Sequence, residues 1–369
     1  MNQLFRWDQM GLFLLALAAG ILPFAVPEVC AAALREGLTL CSGPLLLSLF
    51  PFLVVSRLLI QCPESDLLAL PFRLAAWGIG IRTPCAARVF CIGFLGGFAP
   101  AASAAAQAVR TGQLTAEEAD ALLPACICSG PSFVVLTVGQ SLLGSAELGV
   151  LLFASQITAN YLTAALLNRF AGVRSVKLGS AAPASPAPPR LDEILADAAI
   201  TYCKLCGFIL FFRMLAAGAG ALLPAGAGTL CAVLLEVCSG CDLASRTGRW
   251  GSLLCCTALS VQGLSVLLQV RTICPPEMTL RPLYRARMLH LPLSLALFYL
   301  LLPGGEADVF STLPARVLLM RRVPPDCALL VFAVCCMAAC TLRSGIRQVE
   351  QKQMARNAGG CCINSKTLL

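Results

Sequence analysis

The residue most able to do chemistry is Glu236, which lies in the almost wholly apolar stretch of residues 219–245. An ionised side chain without a partner costs about 2.5–3.5 kcal/mol or more at the centre of a bilayer. Glu236 could therefore bind a proton, a cation or a substrate amine, which is the reading we favour. It could also be a structural partner of Lys204, which lies in the preceding apolar stretch.

Small and polar residues also interrupt the apolar sequence in four places. Backbone that is not helical is tolerated at membrane depth only where it lines a cavity or is buried in protein. Amides at the start of a half-helix would favour an anion or a polar ring. Glycines could instead serve close helix packing, but their recurrence in corresponding places favours a binding site. The predicted solute-binding residues lie at or near these interruptions, except for Asn160, which comes from a neighbouring span. They are Gly96, Gly97, Pro100, Ser103, Ser129, Gly130, Pro131, Ser132, Asn160, Glu236, Ser239, Gly240, Gln262, Gly263 and Ser265.

Other polar side chains in apolar sequence have simpler explanations. Arg57 and Arg213 lie near the ends of spans, from which long side chains reach the interface. His290, the only histidine, lies beside Arg287 and is predicted to be interfacial. Three glutamines could hydrogen-bond either a solute or another helix: Gln140, Gln156 and Gln269.

The 21 cysteines do not indicate a disulfide framework or a metal centre. Most of them lie inside apolar runs, where Cys acts as a small packing residue. Two pairs have CxxC spacing, Cys203/Cys206 and Cys238/Cys241, but a zinc site usually needs more ligands than one such pair supplies. Signatures of common enzyme classes are also missing. We therefore expect no enzymatic activity, no catalytic residue, no metal and no cofactor.

The elements that must position these residues are membrane helices. Of 369 residues, 58% are apolar and only 12% are charged, and the mean hydropathy is +0.81. A spanning helix needs about 20 mostly apolar residues. We predict an all-α polytopic membrane protein, with about eight spanning helices plus two re-entrant hairpins, at 84–109 and 219–245, in an inverted repeat.

The net charge of +8 reflects orientation in the membrane rather than nucleic-acid binding, because basic residues concentrate in connecting segments. The excess of Lys and Arg in cytoplasmic loops places both termini and the Pro-rich linker in the cytoplasm. Arg246 and Arg249 remain on the less expected side. The predicted divisions are an N-terminal helix and loop (1–36), a first repeat (37–170), a cytoplasmic linker (171–190), a second repeat (191–303), a loop and C-terminal helix (304–342) and a basic cytoplasmic tail (343–369).

The two halves share sequence as well as pattern. Residues 49–59 align with residues 205–215, with Arg57 matching Arg213. Each segment is followed by a broken segment, an Arg-Thr-Gly tripeptide and a second span. In the predicted topology the first copy starts outside and the second inside, which is an inverted repeat of the kind found in secondary transporters.

Three stretches of the first half carry a family resemblance. They are GFLGGFAP at 93–100, GQLTAEEA at 112–119 and CICSGPSF at 126–133. In the second half, Glu236 with Ser239 and Gly240, and Gly263 with Gln269, are similar to later motifs of the same family. Over about residues 40–300 the chain resembles the YlbJ-like sporulation integral membrane proteins of the nucleoside-recognition or Gate domain group.

The resemblance implies a membrane protein of endospore formers that moves dipicolinic acid during spore maturation. The first motif of that family usually reads Ser-Gly-Tyr-Pro-Val-Gly-Ala-Lys. Here Pro100 is displaced by one position, an alanine replaces a glycine, and Ser103 stands where a lysine is expected. The loss of that lysine points to altered specificity or a divergent paralogue.

Together these observations predict a secondary transporter or permease for a small polar, anionic metabolite. Its partners would be the lipid bilayer and the solute, coupled to a proton or cation; a homo-oligomer stays open. The location would be the cell membrane, or the forespore membrane if the resemblance holds, with N- and C-termini cytoplasmic. The alternative is a non-transporting membrane assembly factor or scaffold for sporulation that holds partners through its basic tail and linker.

Overall fold

A computed structural model describes residues 2–61, 63–171 and 190–302, and every regular element in these ranges is helical. The predicted C-terminal helix and the basic tail lie outside the described residues, as does the linker apart from its two end residues. The fold is that expected of a helical membrane protein. Four helical stretches of the described part are long and apolar enough to span a membrane: Pro27–Leu47, Ala146–Ala171, Leu191–Leu222 and Gly248–Ile273.

The first half contains helices of varied length, and those that flank its two breaks have only 11 to 13 residues. A π-helix, rather than an α-helix, follows the second break. The elements are α1 (Asn2–Ala25), α2 (Pro27–Ser42), α3 (Pro44–Gln61), a 3-10 turn (Pro63–Asp66), α4 (Leu70–Gly78), α5 (Pro84–Gly96), α6 (Phe98–Arg110), α7 (Ala116–Cys126), the π-helix (Ser132–Leu142) and α8 (Ala146–Ala171).

The second half repeats this order from α3 onwards: a long helix, two short helices that fold back on each other, a broken helix and a last long helix. The elements are α9 (Leu191–Leu222), α10 (Ala225–Leu235), α11 (Val237–Ser245), a 3-10 turn (Gly248–Trp250), α12 (Gly251–Val261), α13 (Gly263–Ile273) and α14 (Arg281–Leu301).

The short helices on either side of the first and third breaks pack along each other. A Cβ built on Gly93 of α5 would lie 3.2 Å from Cβ of Ala101 in α6, and a Cβ built on Gly240 of α11 would lie 2.9 Å from Cα of Val233 in α10. In each case a residue three or four positions before the break meets one about four positions after it. Both pairs are therefore helical hairpins with very tight bends.

Helices α2 and α3 run antiparallel to α9 and join the two halves. The Tyr202 hydroxyl donates to the carbonyl of Cys41 midway along this contact. Toward the two ends lie ion pairs at 2.7 Å, from Arg57 to Asp197, and at 2.6 Å, from Arg213 to Glu36. The two arginines matched in the sequence repeat thus each reach an acidic residue of the opposite half, and their guanidinium groups are mostly buried rather than extended to an interface.

Large apolar side chains cover much of the outside of the molecule. Phe24, Phe170 and Leu300 are each more than three-quarters exposed. Such surfaces are costly in water and are rare on soluble monomers, whereas they cost nothing against hydrocarbon. The buried interior, in contrast, holds the breaks and most of the polar groups discussed below.

Candidate functional site

The two breaks of the first half touch each other. Gly97 ends α5 with φ +81° and ψ −163°, a conformation almost restricted to glycine. A Cβ at this position would lie 2.6 Å from the Gly130 amide nitrogen. The absence of a side chain at Gly97 is therefore what allows the hairpin tip to meet the break between α7 and the π-helix.

The two breaks of the second half meet in the same way. Gln262 and Gly263, between α12 and α13, have φ of +62° and +72°. A Cβ on Gly263 would lie 2.9 Å from the Glu236 amide nitrogen and from the carbonyl of Leu235. In both halves a glycine with positive φ fixes the approach of a hairpin tip to a broken helix.

Three of the four breaks line one small central cavity of about 50 Å³. The fourth, at Gln262 and Gly263, packs against the hairpin tip at Glu236. Five of the predicted solute-binding residues line it: Gly96, Ser129, Gly130, Ser132 and Glu236. Since one water occupies about 30 Å³ of the liquid, the cavity as it stands holds one or two waters rather than an organic solute. Its other lining residues are Leu45, Leu49, Phe98, Phe133, Ile209, Val237, Cys238, Val266 and Gln269.

Among the described residues, Glu236 is the only carboxylate that lines this cavity, and it caps α11. Its two carboxylate oxygens accept the backbone amides of Cys238 at 2.8 Å and of Ser239 at 2.7 Å. The charge is thus stabilised at the positive end of a half-helix. The alternative that Glu236 pairs with Lys204 is wrong, since no ion pair joins them in the described residues and Lys204 lines a different cavity.

The carbonyl of Ile127, at the end of α7, collects three donors beside the central cavity. It accepts the guanidinium of Arg287, the amide of Asn160 at 3.1 Å and the amide of Gln262 at 3.3 Å. Arg287 is buried, and the described residues place no carboxylate within ion-pairing distance of it. A cation that no acid of the described residues balances therefore binds the carbonyl of Ile127, two positions before Ser129.

The prediction that His290 is interfacial is wrong, because it is 1% exposed. Its Nε2 lies 3.2 Å from the backbone carbonyl of Gln156. The side-chain amide of Gln156 in turn donates to the Ser260 hydroxyl of α12 at 2.9 Å. Gln156 thus bonds another helix, which was one of the two alternatives. Arg287, beside which His290 lies, is itself buried, so this pair does not mark a membrane edge.

The remaining predicted residues shape the backbone around the cavity without lining it. The Pro100 ring would lie 2.9 Å from a Cβ on Gly96, and Pro131 starts the π-helix. Gly240 closes the second hairpin. The Ser265 hydroxyl accepts from Gln269 at 2.9 Å, and the buried Ser239 hydroxyl has no hydrogen-bond partner within the described part of the chain.

Ser103 lies in a second, larger cavity of about 320 Å³, which we call the vestibule. It lies between α3, α6, α9 and α13, and Gln269 lines both it and the central cavity. The vestibule is more polar than the central cavity. Its lining residues are Arg57, Ser103, Ala106, Arg110, Ala196, Asp197, Ile200, Thr201, Lys204, Leu205, Phe208, Gln269, Thr272 and Ile273.

Sequence reasoning missed the vestibule and the role of Arg287. Arg110 and Lys204 are separated by almost a hundred positions, so only the antiparallel packing of the two halves brings them together. The one available signal was the alignment of Arg57 with Arg213, which places charged residues at the contact between the repeats.

Comparison with known proteins gives no relative: no family model, no curated protein and no solved structure matches the chain. In the described residues, no cluster of three or more His, Cys, Asp or Glu side chains could hold a metal ion. The site must therefore be interpreted from its own geometry.

Proposed function

We propose that the chain is a secondary transporter or permease for a small polar, anionic metabolite. The observation that carries this proposal is that three of the four helix breaks, drawn from both halves, line one cavity, while the fourth packs against the third. Broken helices that meet at depth supply the backbone polar groups with which transporters bind solutes near the membrane midplane.

The membrane arrangement that we propose has about eight spans and two re-entrant hairpins. Helices α5 and α6 have 13 residues each, and α10 and α11 have 11 and 9. Each is too short to span a bilayer alone, and each pair folds back on itself. With both termini in the cytoplasm, the two halves form an inverted repeat, and alternating access proceeds as the hairpins move against the broken helices.

The local charge supports an anionic solute. Arg287 places an unbalanced positive charge beside the central cavity, and the α13 and π-helix starts direct their amides toward the breaks. Glu236 is the cavity's one candidate for coupling to a proton or cation. Its position at a hairpin tip would link a change in its charge to movement of α11.

The substrate that we propose to test first is dipicolinate, which the resemblance to the YlbJ-like proteins suggests. That resemblance also supports a place in the cell membrane or forespore membrane of an endospore former. The central cavity must widen to admit such a solute, as alternating access requires.

Uptake of labelled dipicolinate into proteoliposomes tests the proposal. We expect saturable uptake by the wild-type chain and its loss in Ser129→Leu, because the added side chain fills the central cavity. Gln140→Leu is the matched control, since Gln140 is exposed on the π-helix that follows the same break, and it should transport normally.

No uptake by correctly inserted wild-type protein under any ion gradient would contradict transport of this solute. If Ser129→Leu then also left assembly of sporulation membranes unchanged in cells, the scaffold alternative would explain the chain better. A scaffold tolerates a filled cavity, whereas a permease does not.

A further inference from the structure

The vestibule carries an excess of positive charge. Three cationic side chains line it, Arg57, Arg110 and Lys204, against one carboxylate, Asp197. The carboxylate is bonded to Arg57 at 2.7 Å. The remaining two cations have no ion-pair partner in the described residues, so the vestibule has a net charge of +2.

Arg57, Ser103 and Gln269 form the buried end of the vestibule, which we call its floor. Each has a polar atom that forms no hydrogen bond within the described residues. The Nε of Arg57, the hydroxyl of Ser103 and the Oε1 of Gln269 are all buried without a hydrogen-bond partner. Ser103 and Gln269 are each 2% exposed. Buried polar groups in folded proteins are nearly always paired. These three unpaired atoms belong to residues that line one cavity, so small side-chain rotations would make them contacts for a ligand there.

The Gln269 amide can serve such a ligand as a donor. Its Nε2 now donates to the Ser265 hydroxyl at 2.9 Å, but the two ends of an amide are interchangeable in a hydrogen-bond network. After half a turn, Oε1 accepts from the Ser265 hydroxyl and the NH₂ group points into the vestibule. The floor then presents three donors: Arg57 Nε, the Ser103 hydroxyl and the Gln269 amide.

We propose that the vestibule is a loading site for a small dianion that carries two carboxylate or phosphate groups. One anionic group would bind the three donors of the floor, and the other would lie between Arg110 and Lys204 at the exposed mouth. A volume of about 320 Å³ is at the lower end of the range for small-molecule sites. This inference rests on the proposed function only in naming the site a loading site; the binding itself does not require transport.

Gln269 connects the loading site to the central cavity, since it lines both. A solute that leaves the floor of the vestibule therefore meets Gln269 before the broken helices. In the membrane arrangement that we propose, the vestibule lies toward the cytoplasm, because α3 and α13 end there and α9 begins there.

Calorimetric binding of isophthalate to the chain in phosphatidylcholine nanodiscs tests the proposal. Isophthalate carries two carboxylates on one ring, benzoate carries one, and isophthalamide is a neutral molecule of similar shape. We expect saturable binding of isophthalate, weaker binding of benzoate and none of isophthalamide. Arg110→Gln and Lys204→Gln should each weaken isophthalate binding by about ten- to a hundredfold, the effect of losing one charged hydrogen bond.

Arg82→Gln is the matched control. Arg82 is exposed and does not line the vestibule, so its loss removes one positive charge without touching the site. Arg110 and Lys204 are also exposed, so their variants should fold, which thermal unfolding verifies. Equal binding by wild type and both vestibule variants, equal binding of isophthalamide, or no binding of isophthalate at all would overturn the proposal.

Two further comparisons are needed. One distinguishes a lipid headgroup from a soluble dianion, and the other distinguishes the loading site from the transporter proposal. Stoichiometric retention of phosphatidylglycerol by the wild type but not by the vestibule variants, with no isophthalate binding, would assign the vestibule to a lipid headgroup and overturn the soluble dianion. Isophthalate binding that depends on Arg110 and Lys204 without uptake of any dianion would leave the site intact and contradict the transporter. Uptake that both vestibule variants retain in full would support the transporter and contradict the loading site.

Discussion

At the scale of single residues, two glycines set the distance between the breaks. Gly97 and Gly263 each have a positive φ, and a Cβ on either would press against backbone atoms of the neighbouring break. Gly112 and Gly248 also have a positive φ but face open space. The chain thus offers glycines that share a positive φ and differ in crowding.

We predict that Gly97→Ala is more damaging than Gly112→Ala. The Gly97 backbone, with ψ −163°, costs an alanine about 1–3 kcal/mol, and crowding there adds about 1–3 kcal/mol. At Gly112 only the positive φ opposes an alanine, at about 1–2 kcal/mol. Thermal unfolding in detergent should show a clearly larger decrease for Gly97→Ala. An equal decrease in the two variants would mean that the two breaks are not in contact.

Glu236 gives a second prediction at this scale. Glu236→Gln leaves one α11 amide without its carboxylate acceptor, which should cost about 1–3 kcal/mol. Glu236→Asp keeps a charged cap of a type that helices favour and should unfold closer to wild type. The unfolding temperatures of wild type, Glu236→Asp and Glu236→Gln should decrease in that order. If Glu236→Gln were as stable as wild type, the carboxylate would not stabilise α11 as a cap.

Removing the charge of Arg287, in contrast to that of Glu236, should not destabilise the fold. Burying a cation without an acid is costly, and the Ile127 carbonyl would still keep its bonds to Asn160 and Gln262. We therefore expect Arg287→Met to unfold at the wild-type temperature or above, with uptake strongly reduced. A marked loss of stability would instead assign Arg287 a structural role only.

At the scale of elements, local signals predicted the breaks but not their partners. Glycine and proline within apolar runs marked Gly97, Gly130 and Gly263, because those residues weaken a helix locally. The contact between Gly97 and Gly130 depends on how helices pack, which no local pattern encodes. Nor did the sequence predict the π-helix after the second break or the burial of His290 and Arg287.

The ion pair between α3 and α9 is a prediction at this scale. Although the Arg57 side chain is mostly buried, that of Asp197 is 60% exposed, so water screens the pair. A double-mutant cycle with Arg57→Gln and Asp197→Asn should give a coupling energy of about 0.2–1 kcal/mol. A coupling above about 2 kcal/mol would show that the pair is shielded from water and holds the two halves together.

At the scale of the whole molecule, the proposed inverted repeat makes a prediction about sidedness. If α5–α6 and α10–α11 re-enter, the loop near Arg82 and the turn at Gly112 share one side, and the turn at Gly248 lies on the other. Short epitopes inserted at the three positions should be reached by antibody on intact spheroplasts only near Gly248. Exposure of Gly112 but not Arg82 would show that α5 and α6 cross the membrane together.

The fold class itself could be predicted from composition, because apolar content on this scale leaves little alternative to membrane helices. The site could be predicted only in part: sequence indicated the residues at the breaks, five of which line the central cavity. The vestibule could not be predicted, since its charged residues come from three helices of both halves and only the tertiary packing collects them.

The most direct test of alternating access is trans-stimulation. Proteoliposomes are loaded with unlabelled dipicolinate, and the initial rate of labelled uptake is compared with that of unloaded vesicles and protein-free liposomes. A carrier that returns faster when occupied predicts a severalfold higher rate in the loaded vesicles, lost in Ser129→Leu. The same rate in loaded, unloaded and protein-free vesicles would contradict the account that the helix breaks around the central cavity form a solute pathway.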